Sequence, residues 1–335
     1  MELELIKDTT PEKWDEAIEA YHSHCLFHKS AWLRFIEETQ GAKTLRFRIT
    51  EGGRTEGYFV GLTIKKGPLR IMGSPLPGWT TDYMGPVINK GFDLEKFLDA
   101  LDAKCHELKV HHIELCSHVL PPRLMQNKGY EIDNSSTFIV PLTPDKDVMW
   151  NKLERRCRQN IRKAMSNNLV VETCDDPAFA DEYYAELVDV FARQRLVPSY
   201  SAGRVRSLLE VLRGSVLSLR IKNGDKTIAT GVFPYDNRSA YIFGAASWRK
   251  FQGLYPNELL YWTAMDMFAK KGIPQLDMCG DGSFKPKFGA KEVPVYKYAK
   301  SYNVSAKLGR KVYQTTFRVK QALSGRLSLL VPRAA

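Results

Sequence analysis

The chain states one pattern twice. Leu45-Arg-Phe-Arg-Ile-Thr-Glu-Gly-Gly-Arg54 followed by Gly57-Tyr-Phe-Val-Gly-Leu62 is echoed by Leu217-Ser-Leu-Arg-Ile-Lys-Asn-Gly-Asp-Lys226 followed by Ala229-Thr-Gly-Val-Phe233. Each copy reads as a strand, a polar Gly turn and a second strand. Downstream, a helical stretch from Leu94 to Leu108 runs into Ile113-Glu-Leu-Cys116, and a second from Glu258 to Lys271 runs into Leu276-Asp-Met-Cys279. Arg48 and Arg220 lie 172 residues apart and Cys116 and Cys279 lie 163 apart, about half of the 335 residues. Two tandem copies of one domain follow, since a chain of this length exceeds what one core usually holds. The mixture of hairpins, helices and single strands predicts an α/β fold of the α+β mixed-sheet kind, with the two domains packed around a central cleft.

Hydrophobic content of 44% and charged content of 26% are those of a globular protein. Acids in Met1-Glu-Leu-Glu-Leu-Ile and the lack of a long apolar run predict a cytoplasmic protein. The six cysteines form no C-x-x-C pair and read as reduced core thiols. All seven histidines lie in the first half; His22, His24 and His28 could form a metal site, but loop or surface histidines and no metal are expected.

The net charge of +11 is concentrated in two segments. Between Lys152 and Lys163 six bases face Glu154 alone, and after Glu292 nine bases follow with no acid. A single basic helix from Asp147 to about Asn167 would bury Trp150, Leu153, Cys157, Ile161 and Ala164, and carry Arg155, Arg158 and Arg162 on another side. A solvated face usually mixes signs for i,i+4 pairing; here an anion, such as a substrate phosphate, would relieve the repulsion. The tail from Lys307 places Leu308, Val312, Val319, Leu323, Leu327 and Leu330 on one face. That pattern suits docking on the body first, the inner face of an anionic membrane second and tRNA phosphates third.

The segment Leu276-Asp-Met-Cys-Gly-Asp-Gly-Ser-Phe-Lys-Pro-Lys-Phe-Gly289 carries the sharpest local chemistry. Asp277 ends a strand, Gly280 lets backbone amides approach a ligand, and Lys285 or Lys287 can reach a cleft from a turn anchored by Phe284 and Phe288. The competing reading is a structural turn with solvated lysines. Gly78-Trp-Thr-Thr-Asp-Tyr-Met-Gly85 is either a packed loop or an aromatic lip offering Trp79 and Tyr83 to a sugar, with the second favoured.

Trp150-x-x-Leu-x-x-Arg-x-Arg-Gln-Asn-Ile-Arg-Lys-Ala164, Phe191-Ala-Arg-Gln194, Pro198-Ser-Tyr200, Asp277-x-x-Gly280 and Phe284-Lys-x-x-Phe-Gly289 together resemble the FemAB-like branch of the GNAT acyltransferase superfamily. The resemblance implies two GNAT-like domains: 1–145, acceptor-binding or structural; 146–300, catalytic; and a basic amphipathic C-terminal helix over 301–335. It implies transfer of an acyl or aminoacyl group to an amine in envelope or exopolysaccharide synthesis, with no tightly bound cofactor. The donor would be a thioester of CoA or of an acyl carrier protein, or alternatively an aminoacyl-tRNA. Lys285 would meet the developing oxyanion, with Asp277 or Tyr241 positioning groups or handling the proton. Arg155, Arg158, Arg162, Tyr200, Trp79, Tyr83, Gly280 and Lys287 would contact substrate. The stretch that would cradle a donor phosphate, Trp248 to Pro256, offers Lys250-x-x-Gly253 but lacks the second Gly of the usual loop. A reading of another class is a non-catalytic double domain that binds anionic lipid or nucleic acid.

Overall fold

The computed structural model describes residues 1–310 and 312 and divides into two compact units, Met1–Ser136 with a segment returning at Pro294, and Thr137–Val293. In the first unit the order is β1 (Glu2–Leu5), α1 (Pro11–Glu19), α2 (Ser30–Gln40), β2 (Lys43–Glu51), β3 (Arg54–Lys66), β4 (Leu69–Ser74), β5 (Pro86–Ile88), α3 (Leu94–Glu107), β6 (His112–Ser117) and α4 (Pro122–Asn127). Strand β7 (Glu131–Pro141) carries the chain into the second unit. There follow α5 (Lys146–Lys152), α6 (Arg155–Ser166), β8 (Val170–Thr173), α7 (Phe179–Arg193), α8 (Ala202–Val211), β9 (Val216–Asn223), β10 (Lys226–Pro234), β11 (Ala240–Tyr241), β12 (Gly244–Ser247), α9 (Pro256–Lys270) and β13 (Gln275–Asp277). Strand β14 (Lys291–Ser301) brings the chain back.

The repeat read from the sequence is present as structure. Both hairpins form, with Arg48 opposite Tyr58 and Arg220 opposite Thr230, and each carries a register irregularity near its turn. Both helix-to-strand pairs form as well, α3 with β6 and α9 with β13. In α3, Leu98, Leu101 and Cys105 are buried as one stripe, joined by Phe97, which deepens the contact with Phe59 across the core. Helix α9 is buried on several sides by Leu259, Leu260, Trp262, Met265 and Phe268, because its unit packs the sheet and α6 against it.

The two copies differ where it matters for a ligand. In the first unit β4 is bonded on both flanks: Leu62 to Lys66 of β3 pair with Gly73 to Leu69, while Ile71 to Ser74 run parallel to His112 to Leu115 of β6. The second unit has no such continuous strand. The sequence suggests one strand from Ser239 to Ala245; in the structure β11 runs parallel to β13, and the Ile242 amide still donates to Asp277 O at 3.0 Å. The next amide, Phe243, donates instead to Val232 O of β10 at 3.0 Å, and β12 continues antiparallel to β10. The strand therefore changes partners within one residue, and the sheet opens.

The basic helix is also two helices. Leu153 is extended (φ −67°, ψ 144°) between α5 and α6, and the Glu154 amide donates to Lys287 O at 2.9 Å, which fixes the break. The histidine expectation fails in part: His28 is fully buried, with Nδ1 accepting from the Cys25 amide and Nε2 facing Gly85 O, both at 3.2 Å. Burial pulls its pKa down to about 4, so the ring is neutral. Cys25, Cys105, Cys116 and Cys157 are buried and form no disulfide, in keeping with core thiols. The C-terminal helix placed at 301–335 lies largely outside the described residues; residues 304–310 are helical. Among the described residues no helix is long and apolar enough to cross a membrane.

Candidate functional site

The opening of the second unit's sheet leaves a cleft of about 680 Å³. Its floor is Ala245, Ala246 and Ser247 of β12, small side chains that leave the strand surface accessible. One wall is the first turn of α9 with Pro256, Asn257, Glu258 and Tyr261. The others come from α6 and the residue before it (Glu154, Arg156, Cys157, Asn160), the end of α7 and its C-cap (Val190, Arg193, Gln194) and the loop after β13 (Phe284, Lys287). Every lining residue belongs to the second unit.

Polar groups in this cleft are organised around α9. Glu258 Oε1 accepts from Asn160 Nδ2 at 3.1 Å and from Lys287 Nζ at 2.9 Å. Arg193 Nη2 donates to Ser247 O at 2.8 Å and pairs with Asp189 at 3.2 Å, tying the end of α7 to the cleft floor. Tyr261 stacks on Phe284 at 6.0 Å between centroids and meets Phe288 edge-on at 5.1 Å. Burial pushes the Cys157 thiol up to about 12. It stays protonated at neutral pH, so this cysteine is no activated nucleophile.

Beside the point where the strand changes partners, the Tyr183 and Tyr200 hydroxyls share a 2.6 Å hydrogen bond. They fit because residue 244 is glycine: a Cβ there would lie 2.0 Å from the Tyr183 oxygen and 3.1 Å from that of Tyr200. Tyr200 also packs on Phe243 at 5.3 Å, and burial holds both phenols above their ordinary pKa, as neutral donors.

The structure brings some of the sequence-derived residues to this cleft and takes others away. Lys287 lines it. Lys285 does not: it is only 4% exposed, and its ammonium donates to the carbonyls of Cys279 and Gly280, closing the loop it belongs to, with the Phe138 ring 5.7 Å away. Asp277 is buried, accepting from the Thr137 hydroxyl and from the Cys279 amide at 2.8 Å, and Tyr241 is buried in β11 beside it. Gly280 has a left-handed φ of +64°, and the non-glycine Cys279 before it one of +53°.

Among the arginines, Arg158 turns back to the carbonyls of Leu153 and, at 3.3 Å, Asn151, capping the end of α5. Arg162 lies over the Trp150 ring at 5.2 Å, and Arg155 is exposed at the start of α6. The neighbour Arg156, not singled out by the spacing, is the one that lines the cleft. Lys250 and Gly253 are wound into a 3₁₀ helix, Arg249–Leu254, and neither lines the cleft; Lys250 sits over the Phe251 ring at 5.2 Å. In the first unit Tyr83 is packed edge-on to Phe27 at 5.5 Å and against His118 at 4.1 Å, while Trp79 is half-buried. Thr81 accepts from Trp32 Nε1 at 3.0 Å, so this loop packs inward around Tyr83 instead of presenting that ring as a lip.

Glu258, Asn160, Ser247, Tyr183 and Gly244 escape the sequence reading, and Arg193 enters it only within the Phe191-Ala-Arg-Gln194 stretch. Asn160 does stand within the basic motif, and Glu258 at the third position of α9, but nothing in their spacing shows that they meet.

Residues 151–297 match the family described as acetyltransferase (GNAT) domain. No curated protein matches the chain. Among solved structures, FemX is similar with a TM-score of 0.70 at 14% identity, covering 93% of this chain and 99% of its own. L-PGS from Bacillus licheniformis gives 0.54 at 12% identity, covering 98% and 99%. A tandem GNAT protein from the clavulanic acid biosynthesis pathway gives 0.52 at 8% identity, covering 90% and 99%. Residues 151–297 thus carry a domain that matches the GNAT acetyltransferases, and the fold of the chain is the one shared by FemX and the tandem GNAT protein.

Proposed function

We propose that the second unit transfers an acyl group from a thioester, lying in the cleft along β12, to an amino group of a sugar or peptide precursor used in envelope or polysaccharide synthesis in the cytoplasm. The observation that carries this reading is the change of partner between Ile242 and Phe243, which opens the sheet above a floor of small residues. An amide-bearing donor arm can pair with the edge of β12, the outermost strand of its sheet among the described residues. The acyl carbon then lies near Gly244, within reach of the Tyr183 and Tyr200 hydroxyls.

At that point the chemistry needs an unprotonated amine, donors for the developing oxyanion and a path for the lost proton. The two neutral phenols are the candidate donors. Asp277 and Tyr241 stand at the end of the strands that converge there, and Lys285 fixes the adjoining loop. The amine attacks the thioester carbonyl directly, and the protonated Cys157 supports a route with no acyl-cysteine. The first unit, whose β4 stays bonded on both sides, binds the acceptor or is structural.

The test is incubation of the protein with acyl-CoA and acyl-pantetheine thioesters and a panel of amino sugars and amino-terminal peptides, with amide product followed by mass spectrometry and thiol release. An amide formed in step with thiol supports the proposal; hydrolysis alone, or no turnover across donors, removes it. A second reading, an aminoacyl-tRNA donor, is favoured by the exposed bases Arg155, Arg156 and Lys163 along α6. Phosphate contacts along that helix would give binding that falls steeply with salt. A shallow slope is expected, because Arg158 and Arg162 are spent on backbone and ring contacts.

A further inference from the structure

The α9 end of the cleft combines features that a diphosphate would not choose. A phosphate seated at a helix N-terminus is held by free backbone amides. Ahead of α9 the chain is wound into the 3₁₀ helix Arg249–Leu254, so its amides turn onto its own carbonyls: Phe251 donates to Trp248 O at 3.1 Å and Tyr255 to Gln252 O at 3.0 Å. Pro256, the first residue of α9, has no amide hydrogen. Acceptors stand in the same wall, and the Lys287 and Arg193 cations beside them are already engaged by Glu258, Asp189 and Ser247 O. The Glu258 carboxylate is nearly buried in the cleft wall. Asn257 Oδ1 and Ser247 Oγ are buried without a hydrogen-bond partner, and both residues line the cleft. Ser247 is itself only 1% exposed.

Buried polar atoms in folded proteins are almost always satisfied, so orphans that line one cavity point to what enters it. An unpartnered amide oxygen asks for an N–H. We propose that this end of the cleft is closed to the diphosphate of a nucleotide and takes a hydrogen-bond donor instead, so that the donor substrate is gripped by its amide-bearing arm. Asn257 Oδ1 and Ser247 Oγ receive the N–H groups of that arm. Glu258, paired with Lys287 and hydrogen-bonded by Asn160, holds the wall in place and takes up the lysine charge that a phosphate would otherwise meet. The consequence is a donor carried as a pantetheine thioester whose phosphate lies outside the cleft, the form in which a carrier protein presents an acyl chain. This rests on the thioester reading above and adds which part of the donor is recognised.

The experiment is calorimetric titration of the full chain with CoA and with pantetheine, which has the same arm and no nucleotide. The two should bind within about threefold of each other, with little dependence on salt. Asn257→Ala should weaken pantetheine about tenfold, the worth of one hydrogen bond to a buried acceptor, and Asn257→Asp, which keeps an acceptor, should restore most of it. CoA binding about a hundredfold or more tighter than pantetheine would overturn the inference and leave the thioester reading standing. Unchanged pantetheine binding in a folded Asn257→Ala protein would overturn the assignment of the acceptors. If neither compound binds the folded protein, the thioester reading itself falls, and this inference with it.

Discussion

Lys285 shows how one side chain can be conspicuous in sequence and serve a different end in space. The run Phe284-Lys-x-x-Phe-Gly289 draws attention to it as a cation for an oxyanion, and on that ground Lys285→Ala should abolish transfer with the fold intact. The structure adds a structural cost: the ammonium ties down two carbonyls in the loop, and leaving such acceptors bare costs about 1–3 kcal/mol. Lys285→Ala should therefore melt several degrees below the parent by calorimetry, and an unchanged melting temperature would show that the loop holds without it. Glu186, on α7, was invisible to sequence reading, since a lone acid among helical residues has no signature. It is buried, with Oε2 accepting from the Thr230 hydroxyl at 2.5 Å and Oε1 unpaired. Desolvation raises its pKa from 4.5 to about 8. Between those values the folded chain keeps a proton that the unfolded chain has lost, so the stability this group contributes is full below about 4.5 and declines until about 8. Urea titrations across that range should show the decline, on the order of a few kcal/mol, and Glu186→Gln should flatten it. His28 works in the opposite sense: its depressed pKa gives stability that is full above about 6.5 and lost as the pH falls toward 4.

Elements were legible in the sequence to the extent that periodicity sets them. The two hairpins, α3 and α9 with their following strands, and the buried stripe of α3 follow from patterns of two and of three to four. Two breaks did not, because each is decided by a tertiary contact that leaves no period behind. The interruption at Leu153 depends on Lys287 O, far along the chain, and on Arg158 capping α5. Arg158→Gln should accordingly lower stability measurably, in contrast to a solvated arginine. The interruption between β11 and β12 depends on Gly244 admitting two tyrosine hydroxyls. Gly244→Ala would force that pair aside, an overpacking that costs about 1–3 kcal/mol. In a thermal-shift cycle Tyr183→Phe should recover part of the loss, by removing the oxygen that clashes; fully additive effects would mean that the two positions do not touch. The candidate site was legible mainly in its segments: the basic motif, the loop after β13 and the region before α9 all contribute, and Lys287 lines the cleft as read, but Arg156 and Asn160 face it where Arg158, Lys285 and Lys250 had seemed the better choices.

At the scale of the whole molecule, the chain leaves its first unit and later returns to it. The second unit is set within the first, between Ser136 and Pro294, and the first unit regains the chain through β14. That strand lies antiparallel to β6, from Tyr296 opposite Ser117 to Ser301 opposite His112, and Tyr298 is fully buried with its hydroxyl on Leu120 O at 2.5 Å. A ribosome reads these pieces in order, so the part made first is the part finished last. Nascent chains stalled before residue 294 hold every described strand and helix of the second unit, and only the earlier portion of the first. Pulse proteolysis of such chains should find residues 137–293 protected and the amino-terminal portion cut, with protection of the latter appearing once β14 has emerged; early protection of the amino-terminal portion would show that it folds without its last strand. Synthesis thus runs from the start of the chain while completion runs from its middle, and the amino-terminal half must wait, exposed, for a strand that arrives some 160 residues later.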